Sequence, residues 1–145
     1  MKPIILAAVA GITLAGLPAV SMAACPPPSP SVRVATTEAM TTLLQGNTVC
    51  VPVVTQPTME WQELHVAGGA LVDYKRGPTH TTDPSKPVGT WTVTGTSGRS
   101  AFVTHNYGGG AEYIFTIWDN LDGTHSFCSA NPEVKARIKT GGGAC

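Results

Sequence analysis

Residues 88–128 decide the fold, and they read VGTWTVTGTSGRSAFVTHNYGGGAEYIFTIWDNLDGTHSFC. Four strand-length runs rich in Val, Ile, Thr, Tyr, Phe and Trp are separated by Gly-containing and Asp-Gly segments. This spacing is typical of consecutive antiparallel hairpins. Residues 113–118 are apolar on both faces, so we expect that strand at the centre of the sheet. The stretch therefore predicts a four-stranded meander.

Three more strands are predicted before the meander and one after it. Residues 48–54 alternate between valines on one face and Cys50 and Pro52 on the other. Residues 60–66 and 70–76 form a hairpin if Gly68-Gly69 is a two-residue turn. Residues 133–139 alternate strictly, which predicts a strand with a basic outer face. The sequence before this segment is also a good helix start, and a helix is the alternative there.

The Gly68-Gly69 turn predicts a candidate binding surface. Counting outward from it pairs His65 with Val72 and Glu63 with Tyr74, and cross-strand partners share a face. Aromatic side chains with polar groups at their tips suit contact with a ligand or a partner. The predicted ligand or partner face therefore carries Trp61, Glu63, His65, Tyr74 and Arg76. The competing interpretation is a plain solvent-facing surface on which Arg76 stacks over Trp61.

Residues 36–45 are the predicted helix, with Thr36 or Thr37 as the N-cap and Gly46 just past the end. With seven or eight short strands in sequence, the chain is expected to be all-β. A small antiparallel meander of this kind closes most simply into an up-and-down barrel, because closure removes the exposed edges. The predicted organisation is a Pro-rich arm at residues 24–35 and a single β domain at residues 36–145.

Several segments together resemble short exported bacterial proteins of uncharacterised function. The segments are residues 44–50 with Trp61, residues 73–75, Gly89-Thr90-Trp91 and residues 127–128. The expected shape is similar to that of lipocalins, avidins and small periplasmic lysozyme inhibitors. Gly89-Thr90-Trp91 looks like the G-x-W motif of lipocalins, although in that family the motif lies on the first strand and here it lies on the fourth. The resemblance implies secretion and a β fold, and it implies no activity.

Residues 1–23 read as a signal peptide. Lys2 supplies the positive start, residues 4–20 are apolar, and Ser21-Met22-Ala23 places small residues at the cleavage site. The predicted location is therefore periplasmic or secreted. Residues 22–25 also loosely resemble a lipobox, so a lipid anchor on Cys25 is the alternative. No second long apolar run follows, and we expect no transmembrane helix in the mature chain.

Four cysteines follow the signal segment, namely Cys25, Cys50, Cys128 and Cys145. An even number in an exported chain predicts two disulfides, with three connectivities open. The favoured pairing is Cys50 with Cys128 and Cys25 with Cys145. The first bond would tie the opening strand to the end of the meander, and the second would gather the termini. Lipidation of Cys25 would leave one thiol unpaired.

The sequence carries no catalytic signature that we recognise. The formal net charge is zero, which is unlike the basic field of a nucleic-acid-binding protein. The four histidines form no metal-ligand spacing, no G-x-S-x-G occurs, and no helix follows Gly108-Gly109-Gly110 to make a phosphate loop. The expected register places Glu63 and Asp73 on opposite faces. We therefore expect no enzyme, metal or cofactor, and a binding module for an unknown protein or small molecule, including protein inhibition. The alternative is an envelope-anchored structural lipoprotein.

Overall fold

The computed structural model describes residues 25, 30–51, 61–74, 85–96, 100–129 and 133–145. The predicted signal peptide and most of the Pro-rich arm lie outside this range. The elements, in chain order, are β1 Val32–Arg33, α1 Thr37–Leu44, β2 Thr48–Val51, β3 Trp61–His65, β4 Ala70–Asp73, β5 Lys86–Thr94, β6 Phe102–Asn106, β7 Glu112–Asp119, β8 His125–Cys128 and β9 Val134–Lys139.

Strands β2 to β9 form a closed antiparallel barrel. Each of these strands pairs with the next one along the chain, and β9 pairs with β2 to complete the ring. The long strand β7 makes closure possible, because its first half pairs with β6 and its second half with β8. The predicted all-β, up-and-down barrel of seven or eight strands with one short helix is confirmed, and the barrel has eight strands. Residues 134–139 are a strand, as the alternation predicted.

Strand β1 adds a short ninth strand within the stretch assigned to the arm. Val32 lies opposite Asp119 of β7, and Arg33 lies opposite Trp118. The amide of Val34 continues the pairing by donating to the carbonyl of Ile117 at 2.9 Å. The chain therefore joins the barrel before residue 36, where the β domain was predicted to begin.

Helix α1 closes one end of the barrel. The Thr36 hydroxyl accepts a hydrogen bond from the Ala39 amide at 3.1 Å, which caps the first turn as predicted. Met40 and Leu44 are fully buried in the core, and Gly46 ends the helix with a φ of +76°. None of the helices in the described residues is long and apolar enough to cross a membrane.

The core of the barrel is mainly apolar. Its members are buried side chains that point inward from the strands or from α1, and they include Met40, Leu44, Val49, Leu71, Trp91, Ala101, Val103, Phe115, Ile117, Phe127 and Ala136. Each inward residue alternates with an outward one along its strand, as a sheet with one buried face requires.

The disulfide pairing predicted from the sequence is wrong. Cys25 is bonded to Cys128, and Cys50 is bonded to Cys145, with Cα–Cα distances of 5.4 and 5.9 Å. The N-terminal segment runs beside β7, which is the neighbour of β8, and Cys25 thereby reaches Cys128. The chain after β9 returns over β2, and Cys145 thereby reaches Cys50. Two disulfides suggest an oxidising extracellular or periplasmic environment.

The β3–β4 hairpin differs from the predicted register by one residue. His65 lies opposite Leu71, Leu64 opposite Val72, and Glu63 opposite Asp73. The Val66 amide donates to the Ala70 carbonyl at 2.9 Å, so the loop contains Ala67 as well as the two glycines. Three-residue hairpin loops are a common alternative to two-residue turns. Because side chains alternate, this single step changes which residues of β4 share a face with β3.

Candidate functional site

The predicted ligand face is not formed as a set. Glu63 and His65 do share a face, but it is the barrel interior, where they are 2% and 0% exposed. Tyr74 shares the opposite face with Gln62, since the Tyr74 amide donates to the Gln62 carbonyl. Trp61 begins β3 opposite Val51, but its side chain lies outside the described part of the structure, as does all of Arg76.

Glu63 and His65 belong to a polar group that extends from the barrel interior toward the end of the barrel opposite α1. We call this end the mouth; β3 and β7 begin there, and β4 and β6 end there. The polar group, here the mouth cluster, contains side chains from β3, β4 and β6 and from the residue that follows β6. Its members are Glu63, His65, Asp73, His105 and Tyr107.

The two histidines of the mouth cluster contact each other directly. The Nε2 atoms of His65 and His105 are 3.0 Å apart, and both side chains are fully buried. The Nδ1 atom of His65 lies 3.2 Å from the backbone carbonyl of Glu63. A carbonyl only accepts hydrogen bonds, so the proton of neutral His65 is on Nδ1 and its Nε2 is an acceptor. His105 therefore donates from Nε2, and its Nδ1 carries the lone pair.

Tyr107 connects the histidine pair to Glu63. Its hydroxyl donates to the Glu63 carboxylate, with distances of 2.7 Å to Oε1 and 2.9 Å to Oε2. The same hydroxyl lies 3.3 Å from Nδ1 of His105, which is 3.6 Å from Oε2 of Glu63. A continuous chain of polar contacts therefore runs from Tyr107, which is half-buried, to His65 in the interior.

Burial keeps both histidines neutral at physiological pH. It lowers the pKa of His65 to about 4, and a hydrogen bond to the Glu63 carbonyl opposes this only in part. Burial also lowers the pKa of His105 to about 3, and the neighbouring His65 lowers it further. Desolvation of a charged imidazolium explains the direction of both shifts.

Aromatic rings surround the histidines and extend to the surface. Trp91 meets the His65 ring edge-on at 5.2 Å, and its indole N–H donates to the Val66 carbonyl at 3.0 Å. Phe115 lies 5.4 Å from the His105 ring, and Tyr113 stacks on Phe115 with a centroid distance of 6.4 Å. Tyr113 is 43% exposed, so the aromatic lining runs from the core to solvent.

The structure also corrects the expectation that Glu63 and Asp73 lie on opposite faces. They are direct cross-strand partners, so their side chains leave the sheet on the same side. Residues paired in this way have Cβ atoms about 5 Å apart. The mouth cluster thus combines two carboxyl groups and a tyrosine hydroxyl with two neutral imidazoles.

This arrangement suits hydrogen bonding more than metal binding. Within the described ranges, no group of three or more His, Cys, Asp and Glu side chains could hold a metal ion. Carboxylates accept hydrogen bonds, and a neutral imidazole offers one donor and one acceptor. The mouth cluster therefore offers hydrogen-bonding groups to a polar ligand, and the exposed ring of Tyr113 offers a surface for its apolar parts.

Sequence reasoning missed His105, Tyr107 and Asp73 as site residues. The sequence did contain a signal for two of them, because Val103, His105 and Tyr107 alternate within one strand-length run. Val103 is an obvious core residue, and period-two alternation places the other two on the same side. The residues that they contact across the barrel depend on the tertiary structure and could not be predicted from this pattern.

No protein-family model, no curated protein and no solved structure matches this chain.

Proposed function

We propose that this protein is an exported β-barrel binding module and that the mouth cluster is its ligand site. The observation that carries the proposal is the buried, hydrogen-bonded group of Glu63, His65, His105 and Tyr107 inside an otherwise apolar barrel. Barrel mouths are common positions for ligand sites. We expect a ligand to enter at the mouth, because Met40 and Leu44 of helix α1 pack into the core at the other end.

Stability alone does not account for such a cluster. A well-packed apolar core is usually at least as stable as one with buried ionisable groups. Titratable groups with strongly perturbed pKa values concentrate at functional sites, and the pKa values of His65 and His105 are both strongly lowered. We propose binding, not catalysis, and we include protein inhibition, in which a side chain of the target would enter the mouth.

The mouth favours a ligand that donates hydrogen bonds. Carboxylates accept hydrogen bonds, and Glu63 and Asp73 lie side by side. The rings of Tyr107 and Tyr113, with centroids 5.8 Å apart, add an aromatic wall. A carboxylate next to aromatic rings suits an amine or a guanidinium group, because both the charge and the ring faces attract a cation.

The alternative of an envelope-anchored lipoprotein requires a lipid on the Cys25 sulfur in place of a disulfide. Its sulfur is bonded to Cys128, and one sulfur atom cannot also carry a diacylglyceryl thioether. The mass of the intact exported protein separates the two cases. A diacylglyceryl mass on Cys25 would favour the anchored protein, and a mass four hydrogens below that of the reduced chain would support two disulfides.

The binding proposal is tested by comparing variants at the two ends of the barrel. The purified protein is incubated with periplasmic extract and culture fluid, and bound molecules are identified by native mass spectrometry. Glu63→Gln preserves the shape of the side chain and removes the charge, and Tyr107→Phe removes one hydroxyl. Both are expected to weaken capture by about tenfold or more, which is the size of a charge-assisted hydrogen bond.

Leu121→Ser is the matched control for this experiment. Leu121 is 59% exposed in the turn between β7 and β8, at the end of the barrel away from the mouth. The control should bind as the wild type does. If Glu63→Gln and Tyr107→Phe fold normally and capture the same molecules at the same level, the mouth cluster is not the ligand site.

A further inference from the structure

A second candidate site lies on the outer wall of the barrel, under the end of the chain. Residues 140–145, here the C-terminal strap, run back from β9 over β2 and β3. The Gly141 amide donates to Asn47 Oδ1 at 2.9 Å, and the Thr48 hydroxyl donates to the Gly143 carbonyl at 2.8 Å. The disulfide between Cys50 and Cys145 fastens its last residue to the barrel.

The strap and the wall enclose a cleft with a volume of about 290 Å³. Its lining residues come from β2, β9 and the strap, and they are Cys50, Arg137, Ile138, Lys139 and Cys145. The volume is close to the lower end of the range for small-molecule sites, which begins at about 300 Å³. The cleft therefore has room for a compact ligand.

The side chains that line the cleft include the two cations Arg137 and Lys139. Arg137 is exposed, and across the residues the structure describes its guanidinium forms no ion pair or hydrogen bond. Lys139 donates to the Gly142 carbonyl at 2.9 Å, which holds its ammonium group beside the strap. Lys135, on the same face of β9, differs because it pairs with Asp122 at 3.1 Å. Arg137 thus has no acidic side chain as a direct partner among the described residues.

Gln62 lies next to the cleft residues, opposite Cys50, and carries a buried polar group without a partner. Its side chain is fully buried although it lies on the outer face, because the strap covers it. Its Oε1 accepts from the Cys145 amide at 2.6 Å, which fixes the orientation of the carboxamide. Its Nε2 is buried and has no hydrogen-bond partner among the described residues. A buried amide donor without a partner costs about 1–3 kcal/mol.

The strand register brings these donors to one place. Cys50 of β2 lies opposite Gln62 of β3 on one side and opposite Arg137 of β9 on the other. The three residues form a row on the outer face, and Cys145 closes it from above. The guanidinium, the ammonium and the N–H group of the carboxamide are donors, so a ligand that fits supplies acceptor atoms and negative charge.

We propose that the strap cleft binds a small oxyanion, a carboxylate or a phosphate group, with Arg137 as its main anchor. A guanidinium binds such groups through two parallel N–H···O bonds. Lys139 adds charge, and the Gln62 N–H group satisfies a further oxygen. This site does not depend on the mouth cluster, because it uses the opposite face of β2 and β3.

The proposal also makes binding dependent on the disulfide between Cys50 and Cys145. The strap forms one side of the cleft and holds the Gln62 carboxamide. Without that bond, the strap keeps only a few hydrogen bonds, and the cleft should lose its shape although Arg137 and Lys139 are still present. Simple attraction of anions to a basic surface would not change in this way.

The test is an NMR titration of the oxidised protein that follows the Arg137 Nε and Gln62 Nε2 side-chain signals. The probes are inorganic phosphate and butyrate, each against chloride at equal ionic strength. We expect saturable shifts of both signals with at least one probe, and the stronger probe identifies the source of the oxyanion. R137Q should weaken binding at least about tenfold, and K135Q, which removes the same charge from the same strand outside the cleft, should not.

The strap is tested with the double variant C50S/C145S, which should bind as weakly as R137Q does. If that variant does not fold, Q62L replaces it, because this change removes the buried donor and leaves the disulfide in place. Absence of a saturable shift with either probe overturns the proposal. Equal losses in R137Q and K135Q also overturn it, because they would show that only the overall charge of β9 attracts the anion.

Discussion

Acidification from pH 7.5 to pH 5 should destabilise the fold strongly, through His65 and His105. The usual imidazole pKa is 6.5, and burial lowers the two values to about 4 and about 3. Below pH 6.5 the unfolded chain binds protons that the folded chain excludes. Unfolding is therefore favoured as the pH falls, and the stability contributed by these residues is complete only above pH 6.5.

The size of the effect depends on how far the pH lies below the histidine pKa of the unfolded chain. One pKa unit corresponds to about 1.4 kcal/mol. At pH 5, which is 1.5 units below 6.5, each histidine that stays neutral in the folded state lowers the free energy of unfolding by about 2 kcal/mol. The two together remove about 4 kcal/mol, which is a large part of the 5–15 kcal/mol of a typical domain. The fall in the free energy of unfolding that is linked to His65 ends near pH 4, because the His65 imidazole then binds a proton in the folded state as well.

The assay is urea unfolding at pH 7.5, 6 and 5 with the disulfides intact, followed by tryptophan fluorescence. His125→Gln is the control, because burial also lowers the pKa of His125 and its contribution has the same sign. This variant should keep most of the pH dependence. The carboxyl of Asp122 does not interfere, because hydrogen bonds from Thr124 and Lys135 hold its pKa near 2. The stability linked to Asp122 is present above about pH 4 and is lost only as the pH falls further.

Imidazole NMR signals provide a second measurement, which uses the wild-type protein and needs no variant. The signals of His65 and His105 should not shift between pH 7.5 and pH 5. If both residues titrate near pH 6.5 in the folded protein, or if the free energy of unfolding is flat over this range, the neutral buried pair is incorrect.

Two further predictions concern the disulfides and a close backbone approach. Peptide mapping without reduction should recover Cys25 with Cys128 and Cys50 with Cys145. The loss of either bond should lower the free energy of unfolding by roughly 2–5 kcal/mol, because each bond closes a long loop. Recovery of Cys50 with Cys128 would contradict the position of the strap over β2. Gly89→Ala should destabilise the folded protein by at least about 2 kcal/mol, because the added Cβ would lie 2.2 Å from the backbone oxygen of Asn106. Gly142→Ala is the control and should cost much less in the same urea assay, because its Cβ would meet only the flexible Leu64 side chain, at 3.3 Å.

The barrel could be predicted from the sequence because its signals are local. Alternation, turn residues and strand length each depend on a few neighbouring residues, and they indicate a meander without any long-range information. The helix followed in the same way from the Thr36 cap and the Met40 and Leu44 spacing. The strand at residues 134–139 was also predicted correctly, because strict alternation matched a sheet that needed a partner for β2.

The disulfide pairing and the site depend on contacts between distant residues, and local patterns do not determine them. Four cysteines allow three pairings, and the choice depends on where the two ends of the chain pass along the barrel. The pair Gly68-Gly69 is equally compatible with a two-residue and a three-residue loop. The contact of His65 with His105 joins two strands that are 40 residues apart in sequence. Neither strand alone shows that the two side chains meet.

Strand β2 determines which face of β3 points into the barrel. Val49 must face the core, and it lies directly opposite Glu63, so Glu63 faces inward whatever loop follows β3. The next residue toward the start of β3, Gln62, then faces outward, opposite Cys50 and beneath the strap. Two consecutive residues of one strand thus serve the two proposed sites, Glu63 at the mouth and Gln62 in the strap cleft. A slip of β3 by one residue against β2 would exchange these faces. It would place the Glu63 carboxylate under the strap beside Arg137 and remove the acceptor of the Tyr107 hydroxyl, so both sites depend on the same pairing of β2 with β3.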